Sequence, residues 1–269
     1  MKKLILAALL AAGMAGAMHT ASAADDALKT AIAASTRTPA NVARDVYRHP
    51  YETLSFFGIK PTMTVVELSP GAGWYTEILA PYLRDQGKYI GAGSPIDPVK
   101  KTGMAFKNKL ESNLAIYDKA AIGVFSPPSN YAIAPANSAD MVLTFRNVHN
   151  WIGKSDADLV AVFQQMYTVL KPGGVLGVVE HRLPEKATQD ATASTGYVKQ
   201  SYVIGIAEKA GFKLAGKSEV NANPKDKADH KNGVWALPPT YANKDEDRAA
   251  YQAIGESDRM TLKFVKVVK

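Results

Sequence analysis

Two short clusters hold much of this chain's capacity for chemistry: Arg146-Asn147-Val148-His149-Asn150 and Glu180-His181-Arg182. Each follows an apolar run, Met141-Val142-Leu143-Thr144 for the first and Val175 to Val179 for the second, so each sits where a buried strand runs out. A neutral imidazole takes up a proton near pH 7, which makes His149 the first candidate for a general base. The alternative is a histidine that only fastens its loop. Glu180 and His181 would orient or assist it. Two histidines and a carboxylate also meet the ligand count for a metal, but no His-x-His or HExxH spacing occurs, and no metal is expected. Arg146, Arg182 and Arg259 are candidates to clamp an anionic small-molecule acceptor, because a guanidinium fork binds carboxylate or phosphate with two bonds. Their alternative is ion pairing with Glu180, Glu256 or Asp258.

A third cluster lies in Met63–Pro81, MTVVELSPGAGWYTEILAP. Val65, Val66 and Leu68 read as a buried strand that carries Glu67. Pro70-Gly71-Ala72-Gly73 makes a tight turn, and Tyr75, Ile78 and Leu79 fall on one stripe of a helix. Strand, glycine turn and helix build a nucleotide-sized pocket, with backbone close to the ligand and free N–H groups at the helix start. An ordinary βα turn looks similar, but an acid on the strand that feeds the turn favours the pocket. Trp74 and Tyr75 would stack on a ring or pack against neighbouring chain.

The elements that position these clusters alternate. Strands are expected at Met63–Leu68, Lys88–Ala92, Ala115–Val124, Met141–Thr144, Val175–Val179, Phe212–Val220 and Met260–Val268. Helices are expected over Asp156–Leu170, with Leu159, Val162, Phe163, Met166 and Leu170 on one face, and over Tyr197–Ala210; a weaker pattern spans Pro95–Ser112. Lys171-Pro172-Gly173-Gly174 stops the first of these helices. Ala24–Lys60 reads as a helical extension, interrupted at His49-Pro50 because a residue before proline resists helical geometry. The pattern gives a mostly parallel, three-layer α/β sheet.

Lys2 and Lys3, the apolar run Leu4–Met18 and Ala21-Ser22-Ala23 have the form of a signal peptide with cleavage after Ala23. The expectation is a periplasmic or secreted protein without a stable membrane anchor. The formal charge is +7, or +5 once Lys2 and Lys3 are gone. The basic residues are scattered, with no aromatic-laced basic stripe, which excludes a nucleic-acid binder. There is no cysteine, hence no disulfide, thiolate nucleophile or zinc–thiolate site.

ELSPGAG after the first strand, Asp140-Met141-Val142-Leu143, the LKPGG turn and Ala210-Gly211-Phe212 fall in an order that resembles the class I S-adenosylmethionine-dependent methyltransferases. PGAGWYTEILAP, FRNVHNW, VVEHR, NANPKD and GESDR resemble, more narrowly, an exported group of predicted methyltransferases. The resemblance implies a Rossmann-like seven-stranded sheet, last strand antiparallel, over residues 61–269. It implies S-adenosylmethionine as cofactor, with Glu67, Ser69, Gly71, Gly73 and Asn147 around it and Arg146 to His149 near the reacting methyl. Asn221–Arg259 would then be a lid above the same sheet edge, carrying Asp226, His230, Trp235, Glu256 and Asp258. Two positions depart from the family pattern. Ser69 replaces the usual first glycine, and Gly91-Ala92-Gly93-Ser94 lacks the usual ribose-binding acid after the second strand.

Overall fold

The computed structural model describes residues 24–153 and 155–267; the signal-peptide reading lies outside them. Eight strands form one sheet: β1 (Thr64–Leu68), β2 (Lys88–Gly93), β3 (Ala121–Val124), β4 (Ala139–Phe145), β5 (Leu170–Leu183), β6 (Val198–Lys199), β7 (Phe212–Ser218) and β8 (Arg259–Lys266). Their order is β3-β2-β1-β4-β5-β8-β7, parallel throughout except for β8, and β6 pairs with the end of β5. The helices are α1 (24–32), α2 (Pro39–Val42), α3 (Asp45–Arg48), α4 (Pro50–Phe57), α5 (Thr76–Leu83), α6 (Met104–Glu111), α7 (Leu114–Tyr117), α8 (Asp156–Val169), α9 (Gln200–Lys209) and α10 (Arg248–Ile254).

Strand alternation divides the core into two layers. Val66, Leu68, Val142 and Leu176 face α8 and α9, meeting Leu159, Phe163 and Ile206. Val65, Met141 and Leu143 face α5 and the extension, meeting Ile78, Leu79, Leu54 and Phe57. A strand with both faces covered reads as a continuous apolar run, which is how β1 and β4 look in the chain. The extension packs down because Gly177 of β5 leaves room. A Cβ there would stand 2.9 Å from the Phe57 ring and 2.6 Å from Leu143.

Several expectations shift. The run Ala115–Val124 divides, Leu114–Tyr117 winding into α7 and only Ala121–Val124 pairing with β2. The fifth strand is longer than Val175–Val179. Lys171-Pro172-Gly173-Gly174 does end α8, but it stays within β5, whose register against β4 shifts between Ala139 and Met141. The helix expected from Tyr197 begins at Gln200, because Val198 and Lys199 pair with Arg182 and Leu183 as β6. That makes eight strands rather than seven, on the same topology. The extension breaks where His49-Pro50 predicts, with His49 at φ +40 between α3 and α4. α8 opens with a capping box in which Ser155 and Asp158 exchange side-chain and backbone bonds.

Candidate functional site

The ends of β1, β2, β4 and β5 share one edge of the sheet, where open α/β folds bind ligands. After β1 the chain turns sharply, with Ser69 at φ +51, Gly71 at +59 and Gly73 at +83. The Asn147 amide stitches this turn to β4, donating to the Leu68 carbonyl (3.3 Å) and to Thr144 Oγ1 (3.2 Å). Glu67 is buried below. Tyr89 Oη (2.6 Å) and Thr76 Oγ1 (3.1 Å) donate to its Oε2. Burial lifts the Glu67 carboxyl to about 7, against the pull of those two hydrogen bonds and of Arg146.

Three hollows join into a trough along this edge. The first, about 320 Å³, lies between the glycine turn and the ends of β2 and β3, with Ile96, Phe106 and Ile122 as apolar wall. The second, about 250 Å³, lies over Glu67 and the turn, walled by Arg44, Arg48 and Arg146. Ser69, Pro70, Gly71 and Asn147 border both. The third, about 130 Å³, is walled by Arg146, His181, Trp235, Glu256 and Ser257; Arg44 and Arg146 border the second and third alike.

Arg44 and Arg48 come from the extension, which the sequence reading did not connect with the site. Glu256 gathers them: Arg44 Nε donates to Oε1 (2.6 Å), while Arg48 Nε (3.3 Å) and Arg259 Nη1 (3.1 Å) donate to Oε2. Burial would raise the Glu256 carboxyl, but Arg48, Arg259 and Arg44 outweigh it and hold it down at about 2. Trp74 stacks under Arg48, 4.6 Å from ring centre to guanidinium, and Tyr75 stacks on Phe145 at 3.5 Å. Both aromatics therefore pack. Of the three arginines proposed as a clamp, Arg259 is buried on Glu256 and Arg182 is taken up by Asp258 (2.8 and 2.9 Å) and Glu219. Only Arg146 remains open, and it has no acidic partner among the described residues.

Glu180 is fully buried and accepts three N–H groups: the backbone of His149 (3.2 Å) and of His181 (2.7 Å), and the His149 ring at Nδ1 (3.0 Å). An ionised carboxylate can only accept, so the His149 ring donates to it from Nδ1. His149 is itself buried, 9% exposed, with its ring centroid 5.5 Å from His181 and 6.0 Å from Trp235. His181 is the histidine that lines the third hollow, its Nδ1 paired with Ser257 Oγ at 2.6 Å. Burial, His149 and the arginines push His181 well below the ordinary imidazole value. His181 thus lines the third hollow, while His149, the first candidate from the sequence, is paired with Glu180 and is absent from that lining. Spacing alone also hid that His149, Glu180 and His181 bring one ligand atom each to within 4.8 Å of one another. The carboxylate's three N–H partners and the arginine-rich surroundings oppose a cation there.

The segment between β7 and β8 has its own structure, a 3₁₀ turn at Gly233–Ala236 and α10. Asp226 fastens it. The carboxylate accepts from Tyr197 Oη (3.0 and 3.1 Å), the His230 ring (2.8 Å) and the backbone N–H groups of Ala228 (2.9 Å) and Asp258 (2.8 Å). Asp226→Ala leaves these donors unpaired. The expected result is about 2 kcal/mol of lost local stability, seen as faster amide exchange over 221–258 than over the sheet. Uniform exchange rates would show that the segment is held elsewhere.

No protein-family model and no curated relative matches the chain. Among solved structures it is similar to a putative sarcosine dimethylglycine methyltransferase from Galdieria sulphuraria, with 15% identity and a TM-score of 0.55 over 85% of this chain and 86% of that one. A SAM-dependent methyltransferase from Aquifex aeolicus matches at 16% identity and TM-score 0.54, over 84% and 93% of the two chains. The [4+2]-cyclase SpnF matches at 18% and 0.53, over 88% and 84%. The fold is that of the class I methyltransferases. A cyclase among the neighbours shows that this methyltransferase fold hosts more than one reaction. On this methyltransferase sheet the first hollow has no carboxylate in its lining and has Lys101 there instead.

Proposed function

We propose that the protein is an exported S-adenosylmethionine-dependent methyltransferase acting on a small acceptor. The observation that carries this reading is the continuous trough from the glycine turn to His181, on a sheet of this topology. The walls fit the cofactor at both ends. Nothing stands within 4 Å of a Cβ built on Gly71, so a ligand reaches the backbone of the turn. Ser69, Gly71 and Asn147 would hold the amino-acid part, and Ile96, Phe106 and Ile122 would sandwich the base. The ribose diol lacks its usual acid, which weakens binding by about 1–3 kcal/mol.

When bound, S-adenosylmethionine supplies an electrophilic methyl group. The chain's own part is alignment and proton removal. The trough sets acceptor and donor in line, the larger share of the rate. His181 meets the acceptor as a neutral base with Ser257 on its other nitrogen. Burial first, and then the positive field of His149 and the arginines, depress His181, and that field also favours the alkoxide form of an acceptor hydroxyl beside it. His149 and Glu180 hold the end of β4 to the end of β5 and keep His181 in place.

A second reading is favoured by the cationic lining: an enzyme of other chemistry, or a binding protein, that holds a different anionic ligand in the same trough. Calorimetry with S-adenosylmethionine and S-adenosylhomocysteine separates the two. The protein used is residues 24–269, with intact mass checking that export leaves Ala24 first. Gly93 ends β2, and a Cβ there makes only ordinary contact, 3.5 Å from Pro70 Cδ. Gly93→Asp is therefore expected to restore the missing acceptor and tighten binding about tenfold. Binding that Gly71→Arg abolishes and Gly93→Asp tightens supports methyl transfer. No binding by either well-folded wild type or Gly93→Asp sinks it.

A further inference from the structure

The second and third hollows meet at a place where positive charge is in excess. Arg44, Arg48 and Arg259 converge on one fully committed carboxylate, Glu256, and Arg146 lies near it without bonding to it. Glu67, the other acid at this junction, is lifted to about 7 by burial, so it is only partly ionised at pH 7, and it already accepts two hydroxyl protons. The arginines are not satisfied by one another. Arg48 is 2% exposed and its Nη1 has no hydrogen-bond partner. Arg146 projects from a residue at φ +62, a conformation that non-glycine residues adopt rarely, and borders both hollows without an acidic partner among the described residues. Burial and neighbouring guanidinium groups push Arg48 down to about 8 and Arg146 to about 10. Guanidinium keeps its proton across the physiological range, so those shifts mark buried positive charge, disfavoured first by desolvation and then by repulsion, that an arriving anion offsets.

We propose that Arg44, Arg48 and Arg146 form an oxyanion subsite that binds a carboxylate or phosphate group of the acceptor and so delivers its reacting atom to His181. Giving the oxyanion to the acceptor rests on the transfer reading above. The subsite itself rests only on the arginines and the two hollows they border, Arg44 and Arg146 lining both and Arg48 the second. A hollow of about 130 Å³ next to His181, Trp235 and Ser257 takes a small anion and the few atoms attached to it. The guanidinium fork then fixes orientation as well as position, because it grips two oxygens in one plane. Trp235, 37% exposed, is the lid residue at the mouth.

The test needs no acceptor. Inorganic phosphate and malonate are titrated separately into the mature protein by calorimetry, with sodium chloride holding ionic strength constant. Saturable heat is expected for at least one of them, and the tighter of the two names the oxyanion class. Arg146→Gln is expected to weaken that binding about tenfold or more. Lys101→Gln, in the first hollow, leaves it unchanged if the site is as assigned. Phenylglyoxal labelling with peptide mass spectrometry gives a second readout on wild-type protein, in which the bound anion protects Arg146. Absence of saturable binding, an unchanged affinity in Arg146→Gln, or Arg146 labelling indifferent to the anion overturns the subsite. If S-adenosylmethionine fails to bind while phosphate or malonate binds at Arg146, the subsite stands and the transfer reading falls. If both bind and compete, the arginines serve the cofactor's own carboxylate, and the assignment to the acceptor is overturned.

Discussion

Glu256→Gln is expected to lower the free energy of unfolding by about 3–5 kcal/mol, the usual cost of leaving a buried charge without its counter-ion. For a chain of this size that is about 10 °C in Tm. The substitution keeps shape and volume but removes the negative charge from Arg44, Arg48 and Arg259, two of which are 2% exposed. The same pair of states predicts a pH profile. The Glu256 carboxyl lies at about 2 in the folded protein, below its ordinary value of 4.5. A depressed carboxyl stabilises the fold above its unfolded value, and that stabilisation drains away as pH falls from about 4.5 towards 2, a total of about 3 kcal/mol. Denaturant unfolding of wild type and Glu256→Gln across this window checks both statements. The variant should start lower and lose less over the window. Parallel curves would show that Glu256 is not the group responsible.

The second large effect concerns His181. His181→Asn is expected to reduce methyl transfer about 10²–10⁴-fold with cofactor affinity unchanged, the range for losing a positioned base. A readout independent of any acceptor comes from nitrogen-15 NMR of the imidazoles. Wild-type His181 should stay neutral well below pH 6.5, since burial, His149 and the arginines all oppose its charge. Arg146→Gln should move its titration upward, because one opposing charge is gone. The sign for stability follows. The unfolded chain takes up a proton near 6.5 where the folded chain does not, so this histidine makes the protein less stable as pH falls below about 6.5. An ordinary His181 titration in wild type would remove the basis for calling it the facing base.

The sheet was legible because its evidence is local. Apolar runs, a glycine turn and the helix stop at Lys171–Gly174 each declare themselves within a few residues; their alternation implied a mostly parallel sheet, and the resemblance implied its antiparallel last strand. The resemblance also named Glu67, Ser69, Gly71, Gly73 and Asn147 together, and the structure brings them around a single turn at one sheet edge. What stayed hidden depends on distant chain. Arg44 and Arg48 look like the solvated face of a short helical stretch until Glu256, 208 residues beyond Arg48, covers them. The choice between His149 and His181 was equally invisible. Glu180 and His181 are neighbours on β5 whose ligand atoms come within 4.8 Å of each other, and His181 meets the third hollow beside Ser257 and Trp235, which belong to the distant segment before β8. For Arg182 and Arg259 the sequence left clamp and ion pair both open, and the structure gives the ion pairs, with Asp258 and Glu256 of that long segment.

The extension adds nothing to the sheet's pairing, yet it supplies two of the cations that set the charge of the trough. Part of the trough's charge therefore comes from chain that lies outside the sheet. Substitutions along 39–48 can retune what the pocket prefers while every strand keeps its register. A fold of this kind can acquire new ligands by exchanging a short leading segment, and leave its architecture as inherited.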